Sequence, residues 1–378
     1  MTSHFPAVST DEISTEDPDL VVIYDLFVLT DEQAAFANDI LTKIGYVIIA
    51  VSAPLTICNM AVFLHPRMRS ATSKFVVGLN IAQLFYLVSA AGLYLLQGTL
   101  NAWANSLVYW AYYFYVGVYL AVVARRGSYV IMSLVSTERL YAILRPLHVQ
   151  EFCLSKYPIT SMLLAYLAAS LLHLYLLVRT VVVGVEDGSS GRVVYKLKRT
   201  DFYYSNKDVN DGFNLLAKVV LVYVALFLQI VLNVLTAWAL RRHNMSTKHV
   251  QTSANNEAKR QRERQMTITI LVTTVCYVIL SLPNAVHSMV HAVMDEYNPF
   301  SKYHNLFFVV GTAAYNLTLL SCGIDFVCFV ALSSRYKLTL LRLLGLREKR
   351  ARGDVNAENT QTELVMAESR LESAEKSN

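Results

Sequence analysis

Seven stretches of this chain are each long and apolar enough to cross a bilayer, which takes about 20 residues apiece. They lie near Ile40–Leu64, Phe75–Leu96, Leu107–Val135, Pro158–Val178, Phe213–Leu240, Met266–Val290 and His304–Leu332. Inside a bilayer no water satisfies a backbone N–H or C=O, so such stretches must close their hydrogen bonds internally as helices. The predicted fold is therefore an all-α membrane protein, a seven-transmembrane helix bundle. Composition agrees, with 54% hydrophobic and 16% charged residues, against about 45–50% and about 25% in soluble domains. The bundle is expected over 40–346, between an acidic arm at 1–39 and a disordered, charged tail at 347–378.

Lys and Arg are distributed unevenly. With the N-terminus outside, the three inner loops and the stretch 333–353 hold 20 of them, and the outer segments hold 7. Basic residues collect on the cytoplasmic side of membrane proteins, so the N-terminus is expected outside and the C-terminus inside. The net charge of +5 largely reflects this bias and does not call for nucleic acid. The first 39 residues carry nine acids and no Lys or Arg. They lack a signal-peptide pattern, so the first span is expected to insert uncleaved. The five cysteines, Cys58, Cys153, Cys276, Cys322 and Cys328, fall in spans or an inner loop, which leaves no outer disulfide. The second outer loop has a turn signal at Gly188–Gly191, and Val193–Thr200 is expected to form a hairpin with it. Residues 334–345 alternate apolar and basic residues at helical spacing, which predicts a short amphipathic eighth helix on the inner membrane surface.

Short motifs recur at fixed places along these spans. Span three ends in Glu138-Arg139, followed by Tyr141 and Arg145-Pro146-Leu147. Span one carries Asn59 in Cys58-Asn-Met-Ala-Val62, and span two carries Leu79-Asn-Ile-Ala82. Span six holds Leu280-Ser281-Leu-Pro283 with Tyr277 before it, and span seven holds Asp325-Phe326-Val-Cys-Phe329 with Tyr336 after it. In this order, over about 40–346, the motifs resemble those of rhodopsin-like (class A) G protein-coupled receptors. The span-five ending and the Phe after Asp325 resemble invertebrate FMRFamide- and myosuppressin-type peptide receptors.

The resemblance implies that Glu138 holds Arg139 at rest and that Arg139 meets a G protein on activation. Pro146, Leu147, Asp325 and Phe329 belong to the same coupling and switch machinery. Asn59, Ser128, Tyr277, Pro283 and Tyr336 become structural bundle positions. Departures matter as well. Phe85 stands where the family's span-two Asp is expected, which puts a sodium site in doubt. Ala121 replaces the acid that binds amines. Phe114 replaces a disulfide cysteine, and Tyr166 stands for the span-four Trp. Span seven has no Lys between Asn305 and Arg335, so a retinal Schiff base is unsupported.

Arg125 and Arg126 are expensive at mid-span, roughly 2.5–3.5 kcal/mol each on insertion scales. Helical spacing joins Phe114, Val118, Ala121, Arg125, Ser128, Met132, Val135 and Arg139 in one inward stripe. A second stripe, Tyr112, Tyr115, Tyr119, Arg126, Tyr129 and Ser133, is expected to face neighbouring helices. Two readings of Arg125 stay open. It pairs internally with Asp325, or it binds an anionic ligand group in a pocket with Ala121, Lys218, Ser281, Asn284, His287 and His291, joined by His173. The acidic arm is either a solvated tail or an attractor for a basic peptide.

The expected function is transduction of an extracellular ligand, a neuropeptide, to a heterotrimeric G protein from a multi-pass position in the plasma membrane. A chemosensory receptor for small, anionic molecules and a seven-helix transporter or channel are the alternatives. Membrane lipid is a further partner, with arrestin and a receptor kinase at the tail. No zinc spacing, phosphate loop or nucleophile elbow appears, so neither enzymatic chemistry, a metal nor a cofactor is expected.

Overall fold

Thr30 starts the first helix with a capping box. Its hydroxyl accepts from the Gln33 N–H at 3.3 Å, and the Gln33 side chain accepts from the Thr30 N–H at 3.1 Å. Asp31 and Glu32 in the first turn suit the positive end of the helix dipole. Helix α1 (Asp31–Leu64) thus begins well before the apolar stretch at Ile40. In this computed structural model the described residues are 29–99, 107–145, 148–149, 151–186, 193–246, 254–294, 296–298 and 301–345.

Among them, α2 covers Ala71–Thr99 and α3 covers Leu107–Leu144, with a π-helical stretch at Tyr112–Leu120. Helix α4 runs Pro158–Leu172, breaks at His173 and resumes at Leu174–Arg179. Helix α5 consists of Lys207–Lys218, a π-helical stretch Val219–Val224, and Ala225–Ser246. Helices α6 (Ala254–Val293), α7 (His304–Leu332) and α8 (Ser334–Leu343) follow. Seven helices, α1 to α7, are long and apolar enough to span a membrane, which is the predicted seven-helix class. Both α5 and α6 run past their apolar stretches. Between α4 and α5, strands β1 (Thr180–Glu186) and β2 (Val193–Arg199) pair antiparallel, Thr180 opposite Arg199 and Glu186 opposite Val193. The hairpin is present; its expected Gly188–Gly191 turn, the segment before residue 29 and the tail beyond residue 345 lie outside the described residues.

The outside of the bundle is apolar. Val47, Phe85, Leu163, Phe227 and Ile279 are all more than half exposed, which costs nothing in lipid. Polar residues sit inside: Asn59, Asn80, Gln83, Glu138, Ser281 and Asp325 are buried. Close helix approach uses small residues. A Cβ on Gly323 would come within 3.2 Å of the Ser52 Cα, where α7 meets α1. Beside it the Thr56 hydroxyl donates to the Cys322 carbonyl at 3.0 Å.

Gly127 of α3 lies under the Tyr166 ring of α4, and a Cβ there would strike the ring carbons. The Tyr166 hydroxyl in turn donates to the Gly78 carbonyl of α2 at 3.3 Å. Gly127→Val is expected to push Tyr166 off that carbonyl and to cost about 1–3 kcal/mol, as overpacking does. A thermal melt of the purified protein in detergent checks this; an unchanged midpoint would contradict the packing described.

The π-helical stretch changes the α3 register. A π turn takes more residues than an α turn, so spacings of three and four do not hold through 112–120. Phe114, Ala121, Ser128, Met132 and Val135 of the inward stripe are buried. In the second stripe Tyr115 is 54% exposed, whereas Tyr129 is fully buried. The second stripe is expected to face neighbouring helices, and Tyr129 does so edge-on to Tyr277 of α6, whereas Tyr115 lies on the outside.

Candidate functional site

Near the end of α3, Glu138 is buried, and one of its oxygens, Oε2, serves two neighbours. Thr72 of α2 donates its hydroxyl to that oxygen at 2.8 Å. The Arg139 Nε lies 3.1 Å from the same oxygen. The acid is thus shared between α2 and the adjacent Arg, with both side chains largely shielded. Tyr141 stacks on Phe152 with ring centroids 4.1 Å apart, which anchors the segment after α3. Pro146 and Leu147 lie outside the described residues. At the same end, Gln265 of α6 donates to the Leu332 carbonyl at 2.9 Å, and Arg335 of α8 contacts the Arg67 carbonyl.

A polar core ties α1, α2, α7 and α8 together. The Asn59 amide donates to the Asn80 side-chain oxygen at 3.0 Å. Tyr336 donates its hydroxyl to the Asn59 oxygen at 2.9 Å. All three side chains are buried completely. Burial pushes the Tyr336 phenol pKa up, so it stays protonated and can keep donating at physiological pH. Phe329 stacks on Tyr336 at 5.5 Å and meets Phe63 edge-on at 4.8 Å. Further along, Gln83 donates to Asp325 Oδ2 at 2.9 Å. Asp325 Oδ1 has no hydrogen-bond partner among the described residues.

This corrects the expectation for span two. The residue turned toward Asn59 is Asn80, while Phe85 is 53% exposed on the outside of the bundle. Helical spacing explains it, since Val76, Asn80, Gln83 and Leu87 share one buried face. The inward polar groups of α2 at this level are Asn80 and Gln83, neither of them an acid.

Arg125 also differs from one of its two readings. Among the described residues it makes no ion pair within 4.0 Å with Asp325 or any other acid. Its guanidinium donates to the Tyr129 hydroxyl at 3.3 Å and lies about 6 Å from the ring centres of Tyr86 and Tyr129. Arg–aromatic contacts of this kind are worth about 2 kcal/mol when desolvated. Asp325 is occupied by Gln83 instead. A cavity of about 10 Å³, enough for about one water, is lined by Arg125 together with Gln83, Tyr277 and Cys322. Arg126 points elsewhere, its guanidinium on the buried ring of His173 in α4.

Residues 56–325 match the family model described as "7 transmembrane receptor (rhodopsin family)", which is more than half of the chain. The chain belongs to the rhodopsin family of seven-transmembrane receptors. Comparison with curated proteins gives no match. The multi-pass, helical, receptor class expected from the motifs is thereby met.

Within this receptor the expected pocket residues are held by different neighbours. Ala121 is packed in an apolar cluster with Ile49, Tyr86, Leu87 and Leu319. His287 shares a hydrogen bond with the Tyr297 hydroxyl at 2.9 Å, and His291 contacts the Tyr297 carbonyl at 3.0 Å. Both rings also pack on Phe307. The two histidines are thus engaged by the segment between α6 and α7 and by α7 itself, far in sequence from Arg125. Ser281 is buried, and its hydroxyl has no hydrogen-bond partner among the described residues. Pro283 lies inside α6, and Asn284 is part-buried on the following turn. Tyr277 meets Tyr129 edge-on at 5.7 Å, and the Ser128 hydroxyl donates to the Ala124 carbonyl at 2.8 Å. Lys218 is part-buried on α5.

Thr72, Gln83, Tyr86 and Tyr129 join these contacts without belonging to any motif of the spans. Gln83 is discoverable from the sequence, because it follows Asn80 by three residues on the same face. Thr72 carries no such signal; only the packing of α2 on α3 brings it to Glu138.

Proposed function

We propose that this rhodopsin-family receptor passes an extracellular signal to a heterotrimeric G protein through its Glu138–Arg139 end. The observation that carries the reading is Glu138 Oε2, which accepts from Thr72 while lying 3.1 Å from Arg139. An acid held in this way restrains Arg139 in a resting arrangement, and releasing it frees a guanidinium at the helix end. That end carries the basic loops, so it faces the cytoplasm of a plasma-membrane protein with its N-terminus outside. Helix α8 lies there on the lipid surface, and arrestin and a receptor kinase act at the tail. The ligand enters from the hairpin end. A neuropeptide is the first ligand class, on the motif resemblance to peptide receptors. A small acid is the second, favoured by two mid-span arginines with no carboxylate within 4.0 Å among the described residues.

The test is nucleotide exchange on a purified G protein by the receptor in lipid nanodiscs. Wild type is expected to accelerate exchange, and Arg139→Ala to lose about tenfold or more of the acceleration, the scale of losing one buried charged contact at an interface. An Arg139→Ala protein that folds and exchanges like wild type would sink the reading.

A further inference from the structure

Three neighbouring helices are irregular close to the same cluster of charges. The π-helical stretch of α3 ends at Leu120, five residues before Arg125. Helix α4 breaks at His173, and the π-helical stretch of α5 begins at Val219, directly after Lys218. Such interruptions in helices are frequent at functional sites. Here they coincide with Arg126, His173, Arg179 and Lys218.

The hydrogen bonding fixes the charge state at the centre. The His173 Nδ1 lies 2.6 Å from the Ala169 carbonyl, which can only accept, so Nδ1 carries the proton. Nε2 of a neutral ring is then an acceptor, and the Arg126 guanidinium donates to it. Tyr175 lies beside Arg126 and donates its hydroxyl to Asn214 Oδ1 at 2.8 Å. Among the described residues every hydrogen-bond partner of Arg126 is neutral. Lys218 has no hydrogen bond or ion pair among the described residues, and it stands one helical turn after Asn214, the acceptor of Tyr175 beside Arg126. The acid within electrostatic reach of Lys218 is Asp211, on an exposed turn of α5, which lies 3.5 Å from the Tyr203 hydroxyl.

Part-buried cations with neutral partners inside a membrane are costly and persist where a counter-charge arrives. Arg125 cannot receive one of any size. Its guanidinium is enclosed by Tyr86, Tyr129 and Tyr277 around space for about one water. Arg179, just before β1, and Arg199 of β2 both rest on the Tyr203 ring, at 5.1 and 4.6 Å.

We infer that Arg126 and Lys218, set between α3, α4 and α5 around the His173 break, form a binding site for the carboxylate of the receptor's extracellular ligand. The inference rests on the ligand-receptor reading above and names the chemistry of the ligand. Arg126 gives the directed contact, and Lys218 gives a mobile ammonium that completes the charge balance. His173 positions Arg126 and stays neutral. The carboxylate can belong to a small organic acid or to an acidic peptide, and the site does not distinguish them by charge alone.

The experiment measures thermal stabilisation of the purified full-length receptor at constant ionic strength, without G protein. Benzoate stands for small acids, benzamide for their neutral shape, and tetraglutamate for acidic peptides. Wild type is expected to be stabilised by benzoate or by tetraglutamate, and not by benzamide; the active arm identifies the source. Lys218→Gln is expected to raise the half-saturating concentration about tenfold, as loss of one charge-assisted contact does, and Lys218→Arg to restore it. Arg126→Gln is expected to abolish the response; if that variant fails to fold, the Lys218 pair decides alone. Equal stabilisation by benzoate and benzamide, no response in either acid arm, or an unaltered response in Lys218→Gln each overturns the site. Because no G protein is present, these outcomes are separate from the exchange assay. Carboxylate binding without exchange would sink the coupling reading, and exchange without carboxylate binding would sink this one.

Discussion

Replacing Asn59 with Leu is expected to destabilise the receptor severely. The Asn59 side chain receives the Tyr336 hydroxyl at 2.9 Å and donates to Asn80 at 3.0 Å, with all three groups shielded from solvent. Leu fills similar space but strands an acceptor on Asn80 and a donor on Tyr336. Each stranded buried group costs about 1–3 kcal/mol, so the loss is about 2–6 kcal/mol. The thermal midpoint in detergent should fall by about 5 °C or more. A double-mutant cycle sharpens the test. Tyr336→Phe should cost about 1 kcal/mol in wild type and little in the Asn59→Leu background, because the bond is already gone. Additive costs would show that Asn59 and Tyr336 are not coupled.

The second large effect is expected at Glu138. Gln keeps the shape and can still accept from Thr72, but it removes the charge 3.1 Å from Arg139. If Glu138 holds Arg139 at rest, Glu138→Gln shifts the population toward the signalling arrangement without ligand. Couplings of this kind are typically 1–3 kcal/mol, so basal nucleotide exchange should rise about fivefold or more. Thr72→Val changes no charge but releases the oxygen that α2 secures. It should raise basal exchange in the same direction by a smaller factor. Basal rates below wild type in both variants would contradict the restraint.

Much of the architecture is legible in the sequence because membrane spans carry a strong, local signal. His304–Leu332 is predominantly apolar and emerges as α7 with those bounds. The start of α1 is legible through a different signal: Thr30 and Gln33 form a capping box before the apolar run begins. Counting apolar residues alone overlooks it. At Phe85, motif spacing misleads because helical facing decides. Asn80 shares its buried face with Gln83, and Phe85 does not.

Side-chain pairing between distant spans is the least legible part. Arg125 and Asp325 look complementary as charges, yet Tyr86, Tyr129 and Gln83 supply nearer partners. His287 and His291 are claimed by Tyr297, whose position depends on how the chain folds between α6 and α7. No periodicity in α6 encodes that contact. Helical geometry alone assigns adjacent Arg125 and Arg126 to different faces, and they do take different partners, tyrosine rings in one case and His173 in the other.

The most direct measurement is the initial rate of nucleotide exchange on a heterotrimeric G protein, taken without ligand for wild type, Glu138→Gln and Arg139→Ala in matched nanodiscs. The account expects opposite signs from these neighbouring residues: Glu138→Gln above wild type and Arg139→Ala near the rate of empty nanodiscs. Identical rates for all three folded proteins would contradict it.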